Sequence, residues 1–404
     1  MTRHVWVLLH RYVNLVILVF LVITSLTGSV IAFNSELERV FAPQLFSAPQ
    51  PDRPKLDLAT LAERAGRLVP QARVTEVVMT EVDQASVAFA AAKDAETGRR
   101  AELGFSEFFV DPWTGDELGR RRRADLSEGV INLMPFIYEL HFSLLAGPTG
   151  ERLFGIVALV WTLDCFVGFY LALPASRSNF WRRWRQAWRF KRGASVYRFT
   201  VDLHRAGGLW LWPLLFVFGW SSVMLELRPV YEAVTGAVFD YESPRTVFLS
   251  TARPANETPA LDWRAAQAVG ERLIAAQAWQ SGLTVREPLG LTYIARIGAY
   301  YYEVRGSRDL FERAPKGGST YVIFDGSSGE LIKFSMPTGQ RAGNTVESWL
   351  YALHMTRVFG RPYQTAVCIL GLLIAALSVT GILIWLKKRR ARRLARHREA
   401  MPGA

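Results

Sequence analysis

The sequence predicts a membrane α-helical fold: four transmembrane helices in two internally duplicated halves, with two small α+β modules on the extracytoplasmic side. Three observations carry that prediction. The apolar residues, 50% of the 404, gather into four long runs; Lys and Arg crowd two of the segments between or after them; and the chain repeats its own plan.

The runs are Tyr12 to Phe33, Leu153 to Leu173, Leu209 to Leu225 and Ala366 to Leu386. Each approaches the ~20 residues a helix needs to cross a hydrocarbon core roughly 30 Å thick. The third is the shortest and ends at Glu226; its Trp210, Trp212 and Trp220 suit interfacial anchoring. A cleaved signal peptide is the weaker reading of the first run, which exceeds an apolar core of about 7–15 residues and precedes no small-x-small site.

Orientation follows from charge, because short loops rich in Lys and Arg stay inside. The loop after the second run carries Arg177, Arg182, Arg183, Arg185, Arg189, Lys191, Arg192 and Arg198, and the tail opens Lys387-Lys388-Arg389-Arg390. Both are expected to face the cytoplasm. The net charge of +12 is thereby a record of topology; the lipid bilayer is the expected partner and nucleic acid is not. Cys165 and Cys368, inside expected spans, read as small core residues rather than a disulfide or metal ligands. The segments are then helix 1 (1–35), outer module 1 (36–128), an outer His-bearing segment with helix 2 (129–176), the basic loop (177–203), helix 3 (204–228), outer module 2 (229–344), a second His-bearing segment with helix 4 (345–387) and the basic tail (388–404).

The repeat is specific. Leu56-Asp57-Leu58 opens a helical stretch that ends, after alternating runs, in Asp111-Pro112-Trp113-Thr114-Gly115; Leu261-Asp262-Trp263 opens a second that ends in Asp325-Gly326-Ser327-Ser328-Gly329. In each, Asp accepts from the turn backbone and Gly takes positive φ. His10-Arg11 with Leu15 matches His204-Arg205 with Leu209; Tyr138, Leu140, His141, Gly147 and Gly168 match Tyr351, Leu353, His354, Gly360 and Gly381.

Four of the six histidines therefore stand at repeated positions, whereas His4 and His397 lie in the termini. Topology sorts them: His10 and His204 share the cytoplasmic edge, His141 and His354 the outer edge. A full span separates the edges by about 30 Å, so pairs form within an edge, one member from each half. The turns at Gly147-Pro148-Thr149-Gly150 and Gly360-Arg361-Pro362 should place the outer pair on short helices. Singly, each histidine also suits a satisfied interfacial side chain.

These motifs resemble the PepSY-associated transmembrane (PepSY-TM) family, and within it the haem-containing inner-membrane ferric siderophore reductases: His-Arg at each odd span, Leu-His with Gly six residues on before each even span, and the two Asp-x-x-x-Gly module ends. The resemblance spans nearly the whole chain. It implies a haem-dependent ferric reductase of the bacterial inner membrane with two haem b, cytoplasmic termini and periplasmic PepSY-like modules. On that reading His10 and His204 are axial ligands of an inner haem, and His141 and His354 of an outer one. Arg11, Arg205, Arg152, Arg357 and Arg361 are candidate propionate contacts, or else snorkelling interfacial residues; no catalytic residue beyond the ligands is expected. Electrons would come from an unidentified cytoplasmic donor, since no Gly-rich dinucleotide turn follows a strand, and pass to a ferric siderophore or other ferric chelate outside.

Trp6, Tyr12, Tyr138, Trp161, Trp210 and Tyr351 are candidates to wall the cofactors, against a background of belts and core. Arg120 to Arg123, with Trp113 and Tyr300 to Tyr302, offer either an anion-docking patch or a solvated basic turn. No histidine falls in either outer module, which excludes a Ser-His-Asp hydrolase there. The rival reading is a non-enzymatic PepSY membrane protein that binds a partner or peptide. A transporter is weaker, on the expectation that the spans hold no acidic residue at mid-depth.

Overall fold

The computed structural model describes residues 2–50, 52–92, 100–191, 193–243, 254–311 and 318–399. In chain order the main helices are α1 (Arg3–Ile31), α2 (Asn34–Phe41), α3 (Leu58–Leu68), α4 (Leu133–Ser143), α5 (Gly147–Ala172), α6 (Phe180–Ala187), α7 (Val196–Glu226), α8 (Arg228–Val238), α9 (Trp263–Ser281), α10 (Ala342–His354) and α11 (Gly360–Glu399). The strands are β1 (Ala72–Glu81), β2 (Gln84–Ala91), β3 (Glu107–Val110), β4 (Glu117–Arg121), β5 (Val285–Ile294), β6 (Ala299–Gly306), β7 (Thr320–Asp325) and β8 (Leu331–Ser335). The chain divides into two compact units, one of Met1–Ala32, Tyr138–Tyr231 and Pro362–Ala404, the other of Phe33–Ile137 and Glu232–Arg361.

In the first unit α1, α5, α7 and the Gly360–Leu394 part of α11 are long and apolar enough to cross a membrane, so the chain is a multi-pass membrane protein with four candidate spans. The helices outrun the apolar stretches that revealed them. α7 begins at Val196, where Ser195 caps the Arg198 amide, well before Leu209; hydropathy reports depth in lipid, and a helix continues through a basic, amphipathic end. Small residues set the close approaches, as van der Waals packing between helices in lipid requires. A Cβ at Gly371 of α11 would lie 2.2 Å from Ser29 Oγ and 2.4 Å from the Ser25 carbonyl of α1, and one at Gly219 of α7 would lie 2.8 Å from Thr162 Oγ1 of α5.

The second unit is an eight-stranded antiparallel sheet of order β4-β3-β2-β1-β5-β6-β7-β8. The two expected modules are thus not separate bodies: β1 pairs directly with β5, Val77 opposite Leu291, and joins two four-stranded meanders. α3 and α9 share one core with both meanders, in which Leu61 and Ala65, Ala266 and Ile274 meet Val77, Phe108, Tyr300, Tyr302 and Phe324. The Asp signals hold. Asp57 caps the Thr60 amide at 2.7 Å and Asp262 the Ala265 amide at 2.8 Å. Asp111 accepts from Trp113 N and Asp325 from Ser327 N, with Gly115 and Gly329 at φ of 70° and 72°.

Candidate histidine site in the membrane unit

α1 and α7 bring His10 and His204 face to face, ring centroids 6.2 Å apart with planes at 58°. Each ring rests on a glycine of another span: a Cβ at Gly168 of α5 would lie 3.4 Å from His10 Cε1, and one at Gly381 of α11 would lie 3.4 Å from His204 Cε1. A Cβ at either position would be in direct contact with the imidazole, so the two glycines leave the rings their room.

The Nδ1 atoms are committed. His10 Nδ1 is 2.9 Å from Asp164 Oδ1, and the Asn14 amide donates to Asp164 Oδ2 at 2.6 Å and to the His10 carbonyl at 2.7 Å. A carboxylate only accepts, so His10 carries its proton on Nδ1. His204 Nδ1 lies 3.1 Å from Thr380 Oγ1 and 3.2 Å from the Leu377 carbonyl. The Thr380 hydroxyl already donates to the Leu377 carbonyl at 2.7 Å, so it too accepts from the ring. Neither Nε2 has a hydrogen-bond partner among the described residues, and both histidines line a cavity of about 340 Å³ to which all four spans contribute. Two imidazoles sharing one metal through Nε2 at about 2 Å each have ring centroids about 6 Å apart. The observed spacing would let both rings reach one metal, and each ring is oriented by a partner on its Nδ1, as ligating histidines are.

Arg11, Arg205 and Lys388 line the same cavity, against one carboxylate, Asp164. Arg205 donates to Asp202 at 2.9 Å, yet its buried Nε has no partner among the described residues. The remaining wall is apolar and aromatic, with Trp161, Phe169, Trp212 and Trp385.

His141 sits near the C-terminal end of α4, a short helix as its sequence context suggests. Its Nδ1 is 3.0 Å from Thr27 Oγ1 of α1, and the Thr27 hydroxyl donates to the Ile23 carbonyl at 2.7 Å, so here as well the ring is the donor and Nε2 carries the lone pair. The ring lies on Gly28, where a Cβ would be 3.1 Å from Cε1. From Gly28 back to His10 the axis of α1 runs about 27 Å, at 1.5 Å per residue. His141 and the His10–His204 pair are therefore separate sites. His354 ends α10 in the second unit. After each of these helices the chain turns through positive φ, at Leu144, Leu145 and Gly147 and at Thr356, Phe359 and Gly360, which stops the short helix and starts the span.

Other candidates fall elsewhere. Arg152 is exposed and donates to the Pro148 carbonyl of its own helix at 3.1 Å, the behaviour of an interfacial residue. Arg357 and Arg361 follow α10 in the second unit. Trp161 lines the cavity, but Trp6 packs edge-on against Tyr170, Tyr12 is exposed, Tyr138 packs on Phe142, Trp210 on Trp188 and Tyr351 on Phe311. The Arg120 to Arg123 run is spent on ion pairs: Arg120 with Glu117, Arg121 with Glu38 and Glu107, Arg122 with Asp125 and Glu128, Arg123 with Glu107. Trp113, Tyr300 and Tyr302 are buried core. Arg120 and Arg121 belong to strand β4 and Arg121 is buried, so the run is neither a solvated turn nor a patch of uncompensated charge.

The expectation that no span holds an acidic residue at mid-depth is also wrong. Asp164, 6% exposed, lies within α5. A lone Asp in an apolar run is costly in a membrane and marks a functional position; that signal was open to reading in the sequence. Asn14 and Thr380 carried no comparable one.

Fold and site define a multi-pass membrane protein with a histidine-lined cavity between its spans. The chain belongs to the family described as PepSY-associated TM region, which matches residues 7–388. An uncharacterized protein of Pseudomonas aeruginosa is similar to it, 26% identical over 271 residues, which are 63% of this chain and 64% of that relative. The match thus spans a little under two thirds of the relative's length.

Proposed function

We propose that this chain is a transmembrane oxidoreductase with two haem b, which takes electrons from a cytoplasmic donor and delivers them to a ferric complex on the far side, such as a ferric siderophore. The observation that carries the reading is the His10–His204 pair, 6.2 Å apart with both Nε2 atoms unpartnered in one cavity. The residues fit the group: two oriented imidazoles for the iron, aromatic walls for the porphyrin, and Arg11, Arg205 and Lys388 for the propionates. Haem held in this way supplies one-electron transfer. Asp164 and Asn14 orient His10, Thr380 orients His204, and Trp161, Trp212 and Trp385 give the cavity an apolar aromatic wall. His141, oriented by Thr27, would be a ligand of the second haem.

The direction rests on charge. The basic loop 177–203 and the tail 388–404 stay cytoplasmic, in a bacterial inner membrane, and the sheet unit with its PepSY-like modules is periplasmic. We read the matched glycine supports of His10 and His204, and the matched helix-plus-meander halves of the sheet, as an internal duplication about an axis along the membrane normal. Reduction of the substrate would free its iron, because ferrous iron binds hard oxygen chelators more weakly than ferric iron.

The test is a dithionite-reduced minus oxidised visible spectrum of the full chain, purified in detergent after expression with ample haem. A low-spin b-type signal, reoxidised on adding a ferric hydroxamate chelate, is expected. A chain without haem, or with haem that the chelate does not reoxidise, contradicts the proposal; the first outcome would leave a partner-binding membrane protein as the better reading.

A further inference from the structure

The basic loop does more than set orientation. Within it α6 (Phe180–Ala187) has two faces, because at about 100° per residue Phe180, Trp181, Trp184 and Trp188 fall on one side and Arg182, Arg183, Arg185 and Arg189 on the other. The aromatic side is one continuous run: ring centroids are 5.4 Å apart for Phe180–Trp181, 5.6 Å for Trp181–Trp184, 5.8 Å for Trp184–Trp188 and 5.1 Å for Trp188–Trp210. The run ends on α7, a candidate span, where Trp210 is 63% exposed; at its other end Trp181 is 70% exposed. An exposed indole on a span faces lipid, so the surface continuous with it reaches lipid as well.

The four arginines on the other side are exposed, and none is paired with a carboxylate among the described residues. This is the reverse of the Arg120 to Arg123 run. The helix is also strapped to α7 rather than hanging from it. Trp210 Nε1 donates to the Trp188 carbonyl at 3.1 Å, Arg205 Nη2 to the Gln186 carbonyl at 3.3 Å, and the Lys191 amide to Asp202 at 3.3 Å. These three ties flank His204.

We propose that α6 is a docking helix for anionic phospholipid headgroups of the leaflet it lies in. Its indoles seat at the level of the headgroup–chain boundary, and its unpaired guanidinium groups take the phosphates, for which their forked donors are suited. The occupant is lipid rather than an acidic protein because the aromatic face is continuous with the lipid face of α7. The inference stands whether or not haem binds. Its consequence is that leaflet composition bears on the His204 end of the cavity through the Arg205–Gln186 tie.

The experiment is native mass spectrometry of the full chain released from detergent in the presence of phosphatidylglycerol or phosphatidylcholine. Retention of phosphatidylglycerol over phosphatidylcholine is expected, and it should fall at least about fivefold in the R182Q/R183Q/R185Q triple variant. These side chains make no described contact, so the variant should keep the wild-type melting temperature. A tail variant, R389Q/R390Q/R392Q, with the same loss of charge, should keep most of the preference. Unchanged retention in the loop variant, or equal loss in both, overturns the proposal.

Discussion

Two arginine-bearing regions look alike in the sequence and differ entirely in the folded chain. At Arg120 to Arg123 each guanidinium has a carboxylate: Arg121, 4% exposed, lies between Glu38 and Glu107 at 2.6 and 2.7 Å. Around the His10–His204 cavity Arg205 is paired with Asp202, but Arg11 and Lys388 have no ion pair among the described residues, and the lining carboxylate Asp164 is already held by His10 and Asn14. The first region satisfies its own charge and is structural. The second keeps positive charge and two imidazole lone pairs facing a cavity, an arrangement that stabilises nothing by itself and makes sense toward an anionic, metal-bearing ligand.

The largest effect should come from changing Asp164. Asp164→Asn keeps the shape but removes the charged acceptor of the His10 ring, and loss of such an orienting partner weakens metal binding about 10- to 100-fold. Haem retention through gel filtration should drop for one of two haems, and the midpoint potential of any haem kept at that site should rise, because a carboxylate partner makes the ligand more basic. An unshifted potentiometric titration would break the comparison at its strong end. Next, Glu107→Gln leaves buried Arg121 with half of its neutralisation and removes the Arg123–Glu107 ion pair, and should cost about 1.5–3 kcal/mol, the range of hydrogen bonds to charged groups. Thermal unfolding of the full chain would read this as a lower transition for the sheet signal.

The pH dependence of that transition sharpens the point. Burial alone would push the Glu107 carboxyl up, but the Arg121 and Arg123 guanidinium groups outweigh it and hold it below the ordinary carboxylate range. A carboxyl lowered in the folded state contributes stability that is complete above its unfolded pKa and is lost as pH falls through the folded one. The wild-type sheet transition should therefore decline from about pH 4.5 downward, and the Gln variant should decline less over the same interval. The smallest effect belongs to Arg120→Gln, which loses an exposed pair with Glu117 and the stacking of Arg120 over Phe105 and Phe108, about 1 kcal/mol in all. A loss as large as that of the Glu107 variant would show that the run has been misread.

The four spans and the four histidines were legible because each rests on a local or periodic signal: long apolar runs, and a repeated His-Arg or Leu-His at fixed spacing. The single sheet was not. Pairing of Val77 with Leu291 joins residues distant in the chain, and nothing in either strand's own alternation names its neighbour. The partners of the histidines were also hidden, for different reasons. Asp164 stands out as a lone acid in an apolar run, but nothing in that run names His10 as its partner; Thr27 and Thr380 look like the many membrane threonines that bond only their own helix, and they do that as well, and so become acceptors for a ring. The Arg120 to Arg123 run misled because sequence shows charge and not its compensation, the acids lying as far away as Glu38.

The central claim is that the histidines form two separate sites, with His10 and His204 sharing one. Haem-to-protein stoichiometry, from pyridine haemochrome against amino-acid analysis, tests it most directly in wild type and in the His10→Ala, His204→Ala and His141→Ala variants. The account predicts two haems in wild type and one in each variant. It also predicts that the haem remaining in His10→Ala and His204→Ala shares one redox potential, distinct from that of the haem remaining in His141→Ala. Retention of two haems in His204→Ala, or loss of the same haem from the His10 and His141 variants, would contradict it.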